Sequence, residues 1–262
     1  YNVERFKMAS YFIYDSINQY RSDNDVNEGT LSGSSPNQTF AESDVITNHE
    51  RSADQNIGTT FTAINVGDTI QYALGSSATA NVAAAYFTGA SGGSGSIIRI
   101  LSGASGSITN LETIAVASEA GWKVGDLTET TSDKFYIKFL NAVSNVSEVI
   151  IGKKLNFEVE PDVNIQSSID YNNEINTSLG GVEYAINVNP GQEVITINFQ
   201  NISNTFKTNL IAFQDANRGE SKKFVWYDGT THHWVRLARP LTFTEVADGR
   251  FSTSIQLRQQ IQ

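Results

Sequence analysis

The strongest constraint in this sequence is its punctuation. From residue 59 onward, runs with strand character end repeatedly at turn residues. Residues 60–66 alternate apolar with polar and stop at Gly67-Asp68. Residues 69–74 alternate again and stop at Gly75. Residues 81–87 form an apolar run of small side chains, followed by the glycine- and serine-rich stretch 89–95. Runs at 96–101, 134–140 and 148–152 continue the series. Strands separated by turn signals at intervals of roughly ten residues predict an antiparallel sandwich or barrel. A parallel sheet would need helices between the strands, and that alternation is missing.

The second half repeats the texture. Strands are expected at 182–188, 194–199, 210–213, 223–227, 234–237 and 252–257, with turns at Asn189-Pro190-Gly191-Gln192 and Tyr227-Asp228-Gly229-Thr230. Pro161 marks a boundary, because proline lacks a ladder donor and restricts Glu160 before it. The start differs. Phe6, Ala9, Phe12, Ile13 and Ile17 recur near a helical period, yet Tyr11-Phe12-Ile13-Tyr14 fits an aromatic strand equally well. Residues 21–56 are polar and read as long loops, which in compact domains serve binding or assembly. The expected organisation is therefore a polar arm over 1–56, a β domain over 57–160 and a second β domain over 161–262. The fold class is all-β, two antiparallel sandwich or jelly-roll-type domains with little helix.

Composition removes several functions. The chain has 262 residues, 18 basic and 28 acidic, a net charge of −10. Residues 1–160 carry −8 of it and residues 161–262 carry −2. Nucleic-acid binding needs clustered Lys and Arg, so no nucleic-acid partner is expected. No apolar run approaches the ~18 residues of a membrane span, so no membrane insertion is expected. The first ten residues lack the apolar region of a secretory signal peptide. With no cysteine in the chain, disulfides, thiolate zinc sites and cysteine nucleophiles are excluded.

Catalytic and metal motifs do not assemble. Adjacent His232 and His233 on a strand point to opposite faces and make a poor chelating pair. His49 sits in a loop that matches no metal motif. Asp23-Asn24-Asp25-Val26-Asn27-Glu28 offers hard oxygens suited to calcium, but it lacks the glycine at the sixth position of an EF-hand loop and reads chiefly as a solvated loop. Ser91-Gly92-Gly93-Ser94-Gly95 lacks the strand–turn–helix setting of a nucleophile elbow. No catalytic residue, cofactor or metal is expected, and the chain is read as a non-enzyme. Aromatic residues are the remaining lead. Trp226 and Trp234 lie in strong strands and are expected in the core. Trp122, Tyr227, His232 and His233 are the candidates for a protein interface or glycan contact.

Two stretches resemble known families. The runs Ile70-Gln71-Tyr72-Ala73-Leu74-Gly75, Val82-Ala83-Ala84-Ala85-Tyr86-Phe87 and Ser96-Ile97-Ile98-Arg99-Ile100-Leu101 resemble discoidin-like (galactose-binding-like) jelly rolls. Residues 131–139 and 148–153 are similar to the penultimate and closing strands of those domains. Phe224-Val225-Trp226-Tyr227-Asp228, the stretch from His233 to Val246 and the stretch from Phe251 to Arg258 resemble the ends of tail proteins of tailed bacteriophages. The resemblances imply a structural virion protein of the tail or baseplate, distal-tail-like. Such a protein would be assembled in the host cytoplasm as a symmetric homo-oligomer with other virion tail proteins. The alternative is a carbohydrate-binding module that recognises a host-surface glycan.

Overall fold

The structure is a computed structural model that describes residues 10–15, 46–47, 57–58, 61–63, 69–88, 97–103, 109–115, 120–139, 143–161, 165–171, 173–178, 183–187 and 191–260. His49, the Asp23–Glu28 stretch and the 89–95 loop lie outside the described residues. The protein is all-β and antiparallel, with one helix among the described residues, and that helix is too short to cross a membrane. The chain divides into two compact units. One comprises residues 15–154. The other is discontinuous, built from residues 1–14 and 155–261.

The discontinuous unit begins with strand β1 (Tyr11–Tyr14), so the aromatic segment of the expected arm is an internal strand. One of its two sheet neighbours is more than two hundred residues away in sequence. Tyr11, Phe12 and Ile13 pair with Tyr227, Trp226 and Val225 of β13 (Lys223–Tyr227). β13 pairs in turn with β14 (His232–Leu237), β14 with β16 (Arg250–Gln259), β16 with β12 (Gln192–Ser203), and β12 with β9 (Gln166–Asp170). β15 (Phe243–Ala247) pairs with β16, and β10 (Asn173–Thr177) with β11 (Glu183–Asn187) form a separate hairpin.

One face of this sheet carries the core. Phe12, Phe224, Trp226, Val235, Leu237, Ile255 and Leu257 are buried together there, as the alternation of three of these strands predicts. Helix α1 (Asn204–Ala216) covers the cluster with Phe206, Leu210 and Phe213. Residues 210–213, expected as a strand, are thus helical. Their true period is the i, i+4, i+7 spacing of the three buried residues, which puts them on one helix face. Ser203 caps the helix, its Oγ accepting from the Phe206 N–H at 3.1 Å.

The boundary between the units falls at residues 154 and 155, inside a strand, and not at Pro161. Leu155 and Phe157 already belong to the aromatic core of the discontinuous unit, so burial carries the unit past the proline. Both flanks of the inserted unit are clasped. Asp15 and Lys153, near its two ends, form an ion pair at 2.9 Å. On the other side, the Phe157 N–H donates to the Ser10 carbonyl at 3.1 Å. An insertion whose ends meet is tolerated by the host fold.

The inserted unit is built on two strands of 19 residues, β4 (Thr69–Phe87) and β7 (Gly121–Phe139), paired along their length. The expected stop at Gly75 does not occur, and the ladder crosses it with register breaks between Ala73 and Ala78 and between Ala80 and Val82. Such breaks bend a strand that would otherwise run to roughly 60 Å. The remaining strands are β2 (Ile46–Thr47), β3 (Phe61–Ala63), β5 (Ile97–Ser102), β6 (Thr109–Ala115) and β8 (Val143–Asn156). The order is β6-β5-β7-β4-β8, with β3 joining β8 to β2. β6 also packs over the first half of β7. A Cβ on Gly125 would stand 2.7 Å from Glu112 Cγ and 3.3 Å from Ile114 Cγ1, so this close approach requires glycine. Tyr72, Phe87, Phe135, Phe139 and Val149 lie in the core.

Candidate functional site at the β13–β14 hairpin

Strand register builds this site. The β1–β13–β14 ladder sets Tyr11 opposite Tyr227, and Tyr227 opposite His232. Directly opposed residues share a face, and the three rings converge there into one cluster, with Tyr11 and His232 only 6.0 Å apart. The Tyr11 and Tyr227 centroids are 4.9 Å apart, and those of Tyr227 and His232 are 4.5 Å apart. The Tyr11 hydroxyl and His232 Nε2 are hydrogen-bonded at 2.9 Å, which closes the two outer rings over Tyr227. Tyr227 in the middle is buried, whereas Tyr11 and His232 are half-exposed.

His233 takes the opposite face. It opposes Trp226 in the ladder and stacks on it, with centroids 4.9 Å apart and planes 28° from parallel. Its Nε2 meets Asp228 Oδ2 at 3.0 Å. Asp228 is the organising residue of the turn. Its Oδ1 accepts from the Thr230 N–H at 2.7 Å, the Thr230 hydroxyl at 2.6 Å and the Thr231 N–H at 2.8 Å. Gly229 supplies the positive φ of 96° that the turn needs. Partial burial pushes the Asp228 carboxyl up. The Thr230 hydroxyl, His233 and the two backbone N–H groups outweigh it and lower the carboxyl from 3.8 to about 2. Asp228 is therefore ionised at neutral pH, an acceptor held in a fixed direction.

Three of the four sequence candidates, Tyr227, His232 and His233, come together at this hairpin. Trp122 lies in the other unit, buried and edge-on against Tyr86 with centroids 5.3 Å apart. Trp226 and Trp234 are buried. Tyr11 and Asp228 were missing from the candidates. Asp228 was visible in sequence as the first residue of an Asp-Gly-Thr turn, but Tyr11 joins the cluster only through long-range pairing. Among the described residues, no group of three or more His, Asp or Glu could hold a metal ion.

No family model matches the chain, and no curated protein matches it. Two solved structures share some of its backbone. One is the CBM32 of AlyQ in complex with 4,5-unsaturated mannuronic acid, with a TM-score of 0.34 and 23% identity, covering 42% of this chain and 85% of that one. The other is truncated AlyQ with CBM32 and alginate lyase domains, with a TM-score of 0.37 and 17% identity, covering 86% of this chain and 56% of that one.

Proposed function

We propose that this chain is a non-catalytic recognition protein that binds a carbohydrate at the β13–β14 hairpin. The observation that carries the reading is the cluster Tyr11–Tyr227–His232. Tyr11 and His232 close over the buried Tyr227, with centroids 6.0 Å apart and planes 58° from parallel, and leave a half-exposed aromatic patch with polar edges, which suits the C–H face of a sugar ring. The ionised Asp228, the exposed Thr230 and Thr231 and the two imidazoles supply acceptors and donors for hydroxyl groups at the same end of the sheet. The test is a glycan-array screen followed by calorimetry on any hit. His232→Ala and Tyr11→Ala are expected to weaken binding at least about tenfold each, equivalent to ~1.4 kcal/mol. Retention of full affinity by both variants refutes the assignment of the site.

A second reading is a structural virion protein of a phage tail, assembled in the host cytoplasm with copies of itself and other tail proteins. It is favoured by apolar side chains that a lone chain leaves in water. Ile165, Ile169 and Tyr171 are exposed around the last strand of a sheet. Copurification with virions is the expected outcome of this reading, and a protein absent from purified particles overturns it.

A further inference from the structure

We infer that β9 (Gln166–Asp170) is a self-pairing edge, through which two copies of this chain join antiparallel about Ser168. This is independent of sugar binding and gives the assembly reading a specific joint. Among the described residues, the sheet of the discontinuous unit ends at β9. β9 pairs with β12 without a register break, from Gln192↔Asp170 to Thr196↔Gln166. Edge strands are ordinarily blunted by Lys, Pro or a bulge. The sequence Gln166-Ser167-Ser168-Ile169-Asp170 contains no Lys and no Pro, and its one charged side chain is already matched by Arg258 at 3.0 Å.

The side chains favour one occupant, a second β9. Ser167 opposes Ile195 of β12, a core residue, so Ile165, Ser167, Ile169 and Tyr171 lie on the core-bearing face, beyond the rim of the core. Ile165, Ile169 and Tyr171 are nonetheless 42%, 59% and 50% exposed. Ile169 and Tyr171 lie close across the ladder at Gly191, where a Cβ would stand 2.5 Å from Ile169 Cγ2 and 2.8 Å from the Tyr171 ring. Antiparallel pairing about Ser168 sets Ile165 opposite the partner's Tyr171 and Ser167 opposite the partner's Ile169. On the other face it sets the Gln166 amide opposite the partner's Asp170, a donor against a carboxylate. Ile165 thus meets Tyr171 and the amide donor meets its acceptor, while the Ser167 hydroxyl beside Ile169 is already bonded to Glu193, and no like charges are opposed. The two-fold axis makes the contact self-complementary and closed.

The natural chain contains no cysteine, so a single introduced thiol reports this register without background. Opposed residues at the axis have Cα atoms ~4.5–5.5 Å apart, within disulfide range. Copies of residue 166 would be separated by about 14 Å, outside that range. Ser168→Cys is therefore expected to give a covalent dimer on mild oxidation, and Gln166→Cys is expected to give no covalent cross-link under the same conditions. Light scattering on the unmodified full chain should show mass rising toward twice the monomer as concentration approaches ~100 µM. Ile169→Lys should shift that rise to at least about tenfold higher concentration, with unchanged far-ultraviolet circular dichroism. A chain that stays monomeric throughout overturns the inference. So does an oligomer indifferent to Ile169→Lys, or equal cross-linking at both thiol positions. An oligomer of the last two kinds leaves the assembly reading standing and removes β9 as its joint.

Discussion

Phe12→Ala is the sharpest test of the discontinuous unit. Phe12 is 0% exposed, and its ring stacks on Phe213 at 4.7 Å and meets Phe157 and Phe224 edge-on at 4.8 and 5.2 Å. Those partners come from the helix, the chain just after the insertion, and β13. Removing a buried phenylalanine costs ~3–5 kcal/mol, of which each ring pair accounts for roughly 0.5–1.5. The upper half of that range is expected, since no single element can move to fill the void. Set against a domain stability of ~5–15 kcal/mol, this is a large fraction. Hydrogen exchange read by mass spectrometry, with guanidinium titration, resolves the effect by region. Peptides from 192–260 should lose protection, while peptides from 69–139 keep theirs. A cost below about 1 kcal/mol is the signature of a surface position, and it would mean that residues 11–14 are an arm after all.

Two further outcomes follow from the caps and the turn. The lowered Asp228 carboxyl favours the folded state above its unfolded value of 3.8, and that contribution is lost as pH falls toward about 2. Thermal unfolding followed from pH 5 to pH 2 should therefore show a steeper decline in the natural chain than in Asp228→Asn, and parallel curves would contradict the hydrogen bonding at the turn. Ser203→Ala should destabilise the discontinuous unit by ~1 kcal/mol in chemical denaturation, with Ser203→Thr recovering most of it, because threonine keeps both the acceptor for the Phe206 N–H and the hydroxyl donor to Glu158.

What was legible in the sequence was local. Alternation identified β13, β14 and β16 and placed Phe224, Trp226, Val235, Leu237, Ile255 and Leu257 on one buried face. The turn residues after Tyr227 located the hairpin that carries the site. Long-range pairing was not legible. Nothing around Tyr11 shows that its partner is Tyr227, so the aromatic segment read as an arm. In α1, Leu210 to Phe213 form a short apolar run that mimics a strand, and only the wider window from the Ser203 cap through Phe206, Leu210 and Phe213 reveals the helical period. At Gly75-Ser76-Ser77 the turn chemistry was genuine but overridden, since pairing with β7 carries β4 through a register break.

The order of synthesis gives the clasped insertion a kinetic meaning. Tyr11 leaves the ribosome 216 residues ahead of Tyr227, its ladder partner. At ~5–20 residues per second, β13 follows the first strand by roughly 10–40 s. During that interval residues 15–154 have all been translated and can fold. Once they do, the folded inserted unit brings the two stubs of the host unit together, with Asp15 and Lys153 paired at 2.9 Å near its ends. The loop that β1 must close then shrinks from 216 residues to about 76, which lowers the closure cost by ~1 kcal/mol. The guest unit thus acts as a template for its host, and a variant that slows the guest, such as one disrupting β4 with β7, should delay β1 docking even though it touches no residue of the host core.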